Sequence, residues 1–430
     1  MLENDFELYE LKLSSEVINL SNNKLKNIDL SAEEIYCMRT IKNNKLGNSA
    51  TSKKNDFEYL KKSSYENSFS LFNNNFTFSP KIEYNEIDLF FPDDPRYSLQ
   101  NIIDINKEFI EIVNNIFPNT YTFINTKKQL TNIKITNSCG VDSSYKKTNY
   151  FFSAGCIYYE EGNFIKIFEK RANSNGDINF KEVIEKIKTI LSYSKKIIKI
   201  KTGSYPVIFS PNALVDILSV FNYSLNGKYV NNSLSLFKDK LNKHLFDSRF
   251  NLIDDGLLKG SIYSYPFDDE GTPTSRKYLI EKGIIKNFFL DRETSLLLNL
   301  KPTGNGFKVN KSKIIYSQID PKRTNWIVDE GDIKLNKIIN SVNNGLFVDK
   351  IIGLSKENYI SGNISGNLSL GFLINNGEIA GRVKDTMISF NLYDSLINSL
   401  MAISQEREEL AGNIYPYLAF SDIKIISKDS

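Results

Sequence analysis

The sequence predicts an α+β protein: an N-terminal α/β part of antiparallel strands and helices, then a C-terminal β-rich domain, a curved sheet or barrel-like structure with flanking helices. Three observations carry this reading. The opening residues alternate apolar and polar side chains in extended runs separated by Asn-rich turns. Two stretches before residue 200 place apolar residues at helical spacing along one face. Beyond residue 203, short apolar runs alternate with Gly and Asn punctuation, the pattern of many short strands.

In chain order, "FELYELKL", "EVINLSNNKLKNIDLS" and "EIYCMRTIKNNKLGNSAT" read as strands joined by Asn turns, and "KNDFEYLKKSSYENS" as a helix starting at Asn55 or Asp56. "FPDDPRYS" interrupts the periodicity with two prolines and reads as a loop. "SLQNIIDINKEFIEIVNNIF" is an amphipathic helix, "TYTFINTKKQLTNIKITNSCG" and "TNYFFSAGCIYYEEGNFIKIFEKRA" are extended, and "NFKEVIEKIKTILSYSKK" is a second helix. In "SKKIIKIKTG" lysine alternates with isoleucine, as in a strand with one wet face. "GSYPVIFSPNALVDILSVFNYSLNGK" is a short strand, a Ser210–Pro211 helix start, and a helix with Ala213, Leu214, Ile217, Leu218 and Phe221 inward. The strands "KYLIEKGIIKNFFLD", "KIIYSQI", "GLFVDKIIG" and "GNISGNLSLGFLINNGEIAG" follow, then a helix "YDSLINSLMAISQ" and a last strand "DIKIISK".

The chain has 430 residues, more than one ordinary core of roughly 100–200 residues holds. We expect an N-terminal α/β segment 1–98, a middle α/β segment 99–202 and a C-terminal β-rich domain 203–430. Hydrophobic residues at 41% and charged residues at 24% exclude wholesale disorder. The net charge of +3 has no coherent basic face behind it, so no nucleic-acid partner is expected. No apolar run approaches the ~18 residues that span a bilayer, so no membrane partner is expected either. Cys37, Cys139 and Cys156 are far apart and odd in number, which suits reduced thiols; with an acidic N-terminus unlike a secretory signal, a cytoplasmic location is expected.

Candidate chemistry is sparse. His244 is the one histidine, without a second histidine or cysteine at metal spacing, so zinc sites and catalytic triads find no nominee. "GNISGN" (Gly362 to Asn367) has glycines spaced like a phosphate loop but reads better as a turn. The densest acidic stretch is "FDDEGTPTSR", with Asp268, Asp269 and Glu270 in succession. Neighbouring side chains of an extended chain point to opposite faces, and Gly271 before Thr-Pro suits a tight loop with φ > 0. Residue types favour a turn and leave a magnesium or calcium site as the alternative.

The order of "VIFSPNALVDIL", "LFKDKL", "NLIDDG", "FDDEGTPTSRKYLIEKGIIKNFFLDRETS", "TGNG" and "GFLINNGEIAGRVKDTMISFNLYDSL" closely resembles the C-terminal domain of the TldD/PmbA family; "NNKLKNIDLSAEEIYCMRTIKNNKLGNSAT" and "IKITNSCG" resemble its N-terminal parts. In that family the TldD kind carries a zinc-binding HExxxH helix after the short strand and a cysteine near the C-terminus; the PmbA kind, also called TldE, lacks both. Here the corresponding helix reads "SPNALVDILSVFNYSL" and the later loop "AGNIYPYLAF", with neither histidine nor cysteine, so the chain resembles the PmbA/TldE kind. The resemblance implies a metal-free subunit of a cytoplasmic zinc-dependent peptidase assembly that trims leader peptides or degrades unfolded ones. The zinc would belong to a TldD-like, HExxxH-bearing partner, and this chain would hold no cofactor. Pairing would be with that partner or with a second copy, around a cavity whose lining would include Asp269, Glu270, Gly271, Thr274, Thr303, Gly304 and Asn305. Two other readings stay open: a stand-alone homodimeric peptide-binding protein, and a hydrolase using Asp269 and Glu270 with another metal.

Overall fold

The computed structural model describes residues 5–22, 24–43, 45–53, 56–70, 76–160, 163–309, 318–354 and 360–428. The first part runs β1 (Asp5–Ser21), β2 (Lys24–Lys42), β3 (Lys45–Thr51), α1 (Phe57–Glu66), β4 (Ser68–Ser70), α2 (Leu99–Asn114), β5 (Tyr121–Asn137), β6 (Asp142–Glu160), β7 (Asn163–Asn173) and α3 (Phe180–Tyr193). Its strands form one antiparallel sheet in the order β4-β3-β2-β1-β5-β6-β7. Asn22 and Asn43 turn the first two hairpins with φ of 44° and 51°, the left-handed region that asparagine tolerates. The sheet runs across residue 98, because β1 pairs with β5 from Glu7–Asn137 to Ser21–Phe123.

One face of this sheet is covered by helices. Ser98 caps α2 by accepting the Asn101 N–H, and Asn179 caps α3 by accepting that of Glu182. Ile102, Phe109 and Val113 of α2 and Val183, Ile184, Ile187 and Leu191 of α3 form one cluster with Ile124, Phe152, Ala154, Cys156, Ile165 and Ile167 of the strands. The helix predicted to begin at Asn55 or Asp56 is α1, with Asp56 at its N-cap position; Asn55 lies outside the described residues.

The second part comprises β8 (Ile197–Ile198), β9 (Gly203–Phe209), α4 (Pro211–Ile217), α5 (Phe221–Ser224), α6 (Gly227–Asn231), β10 (Leu252–Asp255), β11 (Arg276–Glu281), β12 (Ile284–Ile285), α7 (Arg292–Leu297), β13 (Gly306–Lys308), β14 (Ile319–Pro321), β15 (Asn325–Val328), α8 (Leu335–Asn340), β16 (Asn344–Ile352), β17 (Asn363–Asn375), β18 (Glu378–Val383), β19 (Thr386–Asn391), α9 (Leu392–Asn398), β20 (Leu400–Glu409) and β21 (Asn413–Ser427). The pairings β21-β9-β16-β17-β19-β21 close a five-stranded barrel. β10, β11, β12 and β15 extend it through a parallel β15–β21 pairing.

Alternation along the barrel strands splits their side chains between two cores. Val207, Phe209, Leu346, Val348, Leu418 and Phe420 pack with α4 and α9, whereas Ile208, Phe347, Phe372 and Ala419 join the α2/α3 cluster. The two parts of the chain are thereby joined through apolar contacts.

The structure corrects three local readings. The last helix stops at Asn398, and "MAIS" enters β20, because Ala402 and Ile403 are buried by pairing with β21. "GNISGN" is neither turn nor phosphate loop past Gly362, since residues 363–367 open β17 and pair with β19. In the lysine-rich run only Ile197–Ile198 forms a strand before β9, paired with β18. Of the strand predicted at "KIIYSQI", residues 313–317 lie outside the described residues.

Candidate functional site

The acidic stretch lies in the connection between β10 and β11, and it is a turn. The Asp268 N–H donates to the Thr272 carbonyl at 2.9 Å, and Asp268 Oδ1 accepts the N–H groups of Glu270 and Thr272 at 3.0 and 2.9 Å. This Asx arrangement folds the chain back, and Gly271 takes φ of 72°, the left-handed region that glycine enters without Cβ strain.

The turn docks on β13. Asp268 Oδ2 accepts the Gly306 N–H at 2.8 Å, the Asp269 N–H donates to the Gly306 carbonyl at 2.9 Å, and Asp269 Oδ2 accepts the Lys308 N–H at 2.8 Å. Glu270 turns the other way. Its Oε1 accepts from Arg39 Nη1 at 2.9 Å and its Oε2 accepts the Arg292 N–H at the start of α7, at 2.8 Å. Arg39, on β2, also grips Glu7 of β1 in a fork, with Nε and Nη2 donating to the two carboxylate oxygens at 2.8 and 2.9 Å. Glu7, Arg39 and Glu270 are exposed by only 1%, 3% and 1%, so a buried carboxylate–guanidinium–carboxylate triad links the N-terminal sheet to the acidic turn. The Gly271 carbonyl adds two ties, accepting from Ser79 Oγ and Tyr84 OH, both at 2.9 Å.

Gly306 is required by close approach: a Cβ there would sit 2.3 Å from Glu270 Oε2. Gly304, with φ of 69°, lies against the Pro273 carbonyl, 2.2 Å from where its Cβ would be. Between these glycines, Asn305 Nδ2 donates to Asp254 Oδ2 and to the Lys322 carbonyl, each at 2.9 Å, and Thr303 Oγ1 donates to Asn305 Oδ1 at 2.8 Å. Thr274 donates to the Gly256 and Tyr265 carbonyls.

All seven residues nominated from the sequence, Asp269, Glu270, Gly271, Thr274, Thr303, Gly304 and Asn305, are therefore in two loops packed on each other. Except for the half-buried Thr303 they are buried. Glu270 also lies in the wall of a cavity of about 220 Å³ with Arg39, Lys228, Asp291 and Glu293. Burial and the nearby Glu270 push the Asp291 carboxyl up to about 7, although Asp291 caps α7 by accepting the Thr294 N–H at 2.7 Å. Burial and Glu270 likewise push Glu293 up, and burial with Glu270 pushes Asp268 well up against the pull of its three backbone donors.

This chemistry is that of a structural anchor. The three consecutive carboxylates reach different partners, and among the described residues no group of three or more His, Cys, Asp and Glu side chains is placed to hold a metal ion. The described residues of the turn and its neighbours do not fit a zinc or magnesium site. His244 is exposed on the surface and bridges to Ile284. Cys37 and Cys156 are buried free thiols and Cys139 is an exposed one. No helix among the described residues is long and apolar enough to cross a membrane.

The helix after the short strand, α4, has its polar side chains engaged. Asn212 donates to Glu169 Oε1, the N-cap Ser210 donates to Asp349 Oδ1 at 2.7 Å, and Asp216 pairs with Lys350 at 2.7 Å. The buried Glu169 is one corner of a half-buried network in which Arg171 and Lys186 bind both Glu169 and Glu408, with Lys186 Nζ at 2.6 Å from Glu408 Oε2. Burial would raise Glu408, but Lys186 and Arg171 hold it below its ordinary value; Glu169, more deeply buried, is raised.

Sequence reasoning missed Arg39, Glu7, Asp291 and this second network. One signal was available: Arg39 is a lone cation in the apolar run "IYCMRTI". Its partner Glu270 lies 231 residues away, so no spacing announces the pair.

The sequence profile of the PmbA/TldA metallopeptidase C-terminal domain matches residues 202–427. The metalloprotease TldD homolog of Buchnera aphidicola subsp. Acyrthosiphon pisum is 30% identical over 190 residues, 44% of this chain, and the match spans only 38% of that relative's length. The metalloprotease PmbA homolog of the same organism is 25% identical over 328 residues, 75% of this chain and 69% of the relative. The crystal structure of TldE from Thermococcus kodakarensis superposes with a TM-score of 0.87 at 19% identity, over 98% of this chain and 97% of the other. That likeness establishes the shared fold.

Proposed function

This chain belongs to the PmbA/TldD metallopeptidase family, and from that premise we propose that it is a PmbA/TldE-like subunit of a zinc-dependent peptidase assembly acting on unfolded peptides. In this reading it contributes cavity wall and peptide contacts, and a TldD-like partner contributes the zinc chemistry. Leader-peptide trimming in the cytoplasm is the activity that suits it. The pairing is with that partner, or with a second copy of this chain.

The observation that carries the reading is the state of α4. At the place where the TldD kind carries its ligands, this helix presents Asn212 and Asp216, and both are spent on Glu169 and Lys350. A catalytic zinc needs three protein ligands and an open position for water, and nothing on this helix supplies them. The acidic turn suits the same role as a rigid element, with Glu270 fixed by Arg39 and the Arg292 N–H. Side chains locked in this way hold a binding surface in shape.

The test is cleavage of an unstructured leader-like peptide by the purified chain, alone and with an HExxxH-bearing partner, each with and without chelator. Cutting by the pair alone, abolished by chelator, is expected. Elemental analysis should find less than one tightly held zinc per chain; a stoichiometric zinc, or cutting by the chain alone, would sink the proposal.

A further inference from the structure

A second concavity, of about 360 Å³, lies on the C-terminal part between the α5–α6 segment and residues 320–324. Part of its wall is aromatic: Tyr223 and Tyr229 meet edge to face with centroids 5.3 Å apart, and Tyr263 and Phe289 also line it. Asn226 Nδ2 donates to the Pro321 carbonyl at 2.8 Å, and Lys228 pairs with Asp320 at 3.0 Å, so the rim is fixed at both ends.

Of the polar residues in the lining, Asn222, Asn226, Asp320, Lys322, Arg323 and Thr324, it is Arg323 that lies over an aromatic ring. Its guanidinium lies 4.8 Å from the Trp326 ring and is tethered through Nη1, which donates to Asn413 Oδ1 at 2.6 Å. Among the described residues no carboxylate pairs with it, and Nε and Nη2 donate to nothing. A guanidinium oriented by stacking and one tether presents its remaining donors in a fixed fork, the geometry that receives a carboxylate. Two buried groups beside it also lack partners among the described residues: the Thr324 hydroxyl, on the wall, and the indole N–H of Trp326. Buried polar atoms left unpaired cost about 1–3 kcal/mol each and call for an explanation.

We infer that this pocket binds a carboxylate carried next to a large apolar side chain, with Arg323 receiving the carboxylate and the tyrosines and Phe289 packing the side chain. Resting on the reading of the chain as a peptide-handling subunit, this makes the pocket a recognition site for a peptide's C-terminal end or for an acidic residue beside an aromatic one.

Trp326 is the one tryptophan of the chain and lies beneath Arg323, so its fluorescence reports occupancy directly. The experiment titrates the full chain, without any partner, with N-acetyl-Ala-Ala-Phe as free acid, the same peptide as C-terminal amide, and N-acetyl-Ala-Asp-Phe amide. Saturable quenching or enhancement by the free acid, at least tenfold weaker with the first amide, is expected. If the Asp-containing amide matches the free acid, the pocket takes a carboxylate from a side chain as well as from the chain end; if it matches the first amide, it takes the chain end alone. Arg323→Gln should weaken binding at least tenfold. Should that variant be unfolded by circular dichroism, Tyr229→Leu, at a half-buried wall position, should weaken binding of the Phe peptide more than that of an Ala-terminated analogue. Equal binding of all three peptides, no binding of any, or full binding by folded Arg323→Gln overturns the inference. Because no cleavage is read, failure here is distinct from failure of the peptidase assignment.

Discussion

Replacing Arg39 by methionine removes the only cation of the Glu7–Arg39–Glu270 triad while keeping an unbranched stem of similar length. Both carboxylates stay where they are, each about 1% exposed, and the other cation of the cavity beside Glu270, Lys228, is exposed and paired with Asp320. Removing one partner from a buried ion pair typically costs about 3–5 kcal/mol, since the orphaned charge pays desolvation without Coulombic return. Two carboxylates are orphaned here, so the upper part of that range applies. With a urea slope of about 3 kcal/mol per molar, the unfolding midpoint should fall by roughly 1.3–1.7 M. The assay is urea unfolding followed by far-UV circular dichroism on the full chain at pH 7. Midpoint loss below about 0.3 M, under 1 kcal/mol by the same slope, would refute the triad as the clasp between sheet and turn.

Gly306→Ala puts a methyl group 2.3 Å from Glu270 Oε2 and should cost about 1–3 kcal/mol, visible as a lowered melting temperature. Asp291, held at about 7 in the fold against an ordinary value of 3.8, binds more protons folded than unfolded between those limits. Wild-type stability relative to Asp291→Asn, which keeps a good helix cap, should therefore decline as pH rises from 4 to 7, by at most about 1.4 kcal/mol per pH unit; a flat difference across that window would contradict the assignment. Lys186→Met leaves Glu169 and Glu408 sharing Arg171 alone and should cost about 2–4 kcal/mol in urea unfolding. Glu408 is held below its ordinary value, so in wild type its contribution is present above the unfolded-state pKa and fades as pH falls through the lowered one.

Much of the local structure was legible because it is set by neighbours a few residues apart. Ser98 and Ser210 cap α2 and α4, and Asn376–Gly377 turns β17 into β18 with φ of 50° and 80°. The alternating opening residues became β1 and β2, the helical faces became α2 and α3, and the Asp-Asp-Glu-Gly stretch became a turn rather than a site of convergent carboxylates. The residues of the two candidate loops were nominated through family resemblance, as lining of a cavity; that the loops pack on each other is decided by the fold.

Other features depended on which distant segments share a desolvated interior. α9 ends at Asn398 although the sequence continues with helix-compatible residues, because pairing with β21 buries Ala402 and Ile403. Closure of the barrel rests on β19 finding β21 as well as β17. Arg39, Glu270 and Asp291 became one electrostatic unit, and Arg323 came to lie on Trp326 among tyrosines from about a hundred residues upstream, only through folding. Propensity, capping and alternation act within a turn or two of chain and can be read in one dimension. A charge's worth depends on how much water its neighbours remove and which partner they bring in, and those neighbours are distant in sequence.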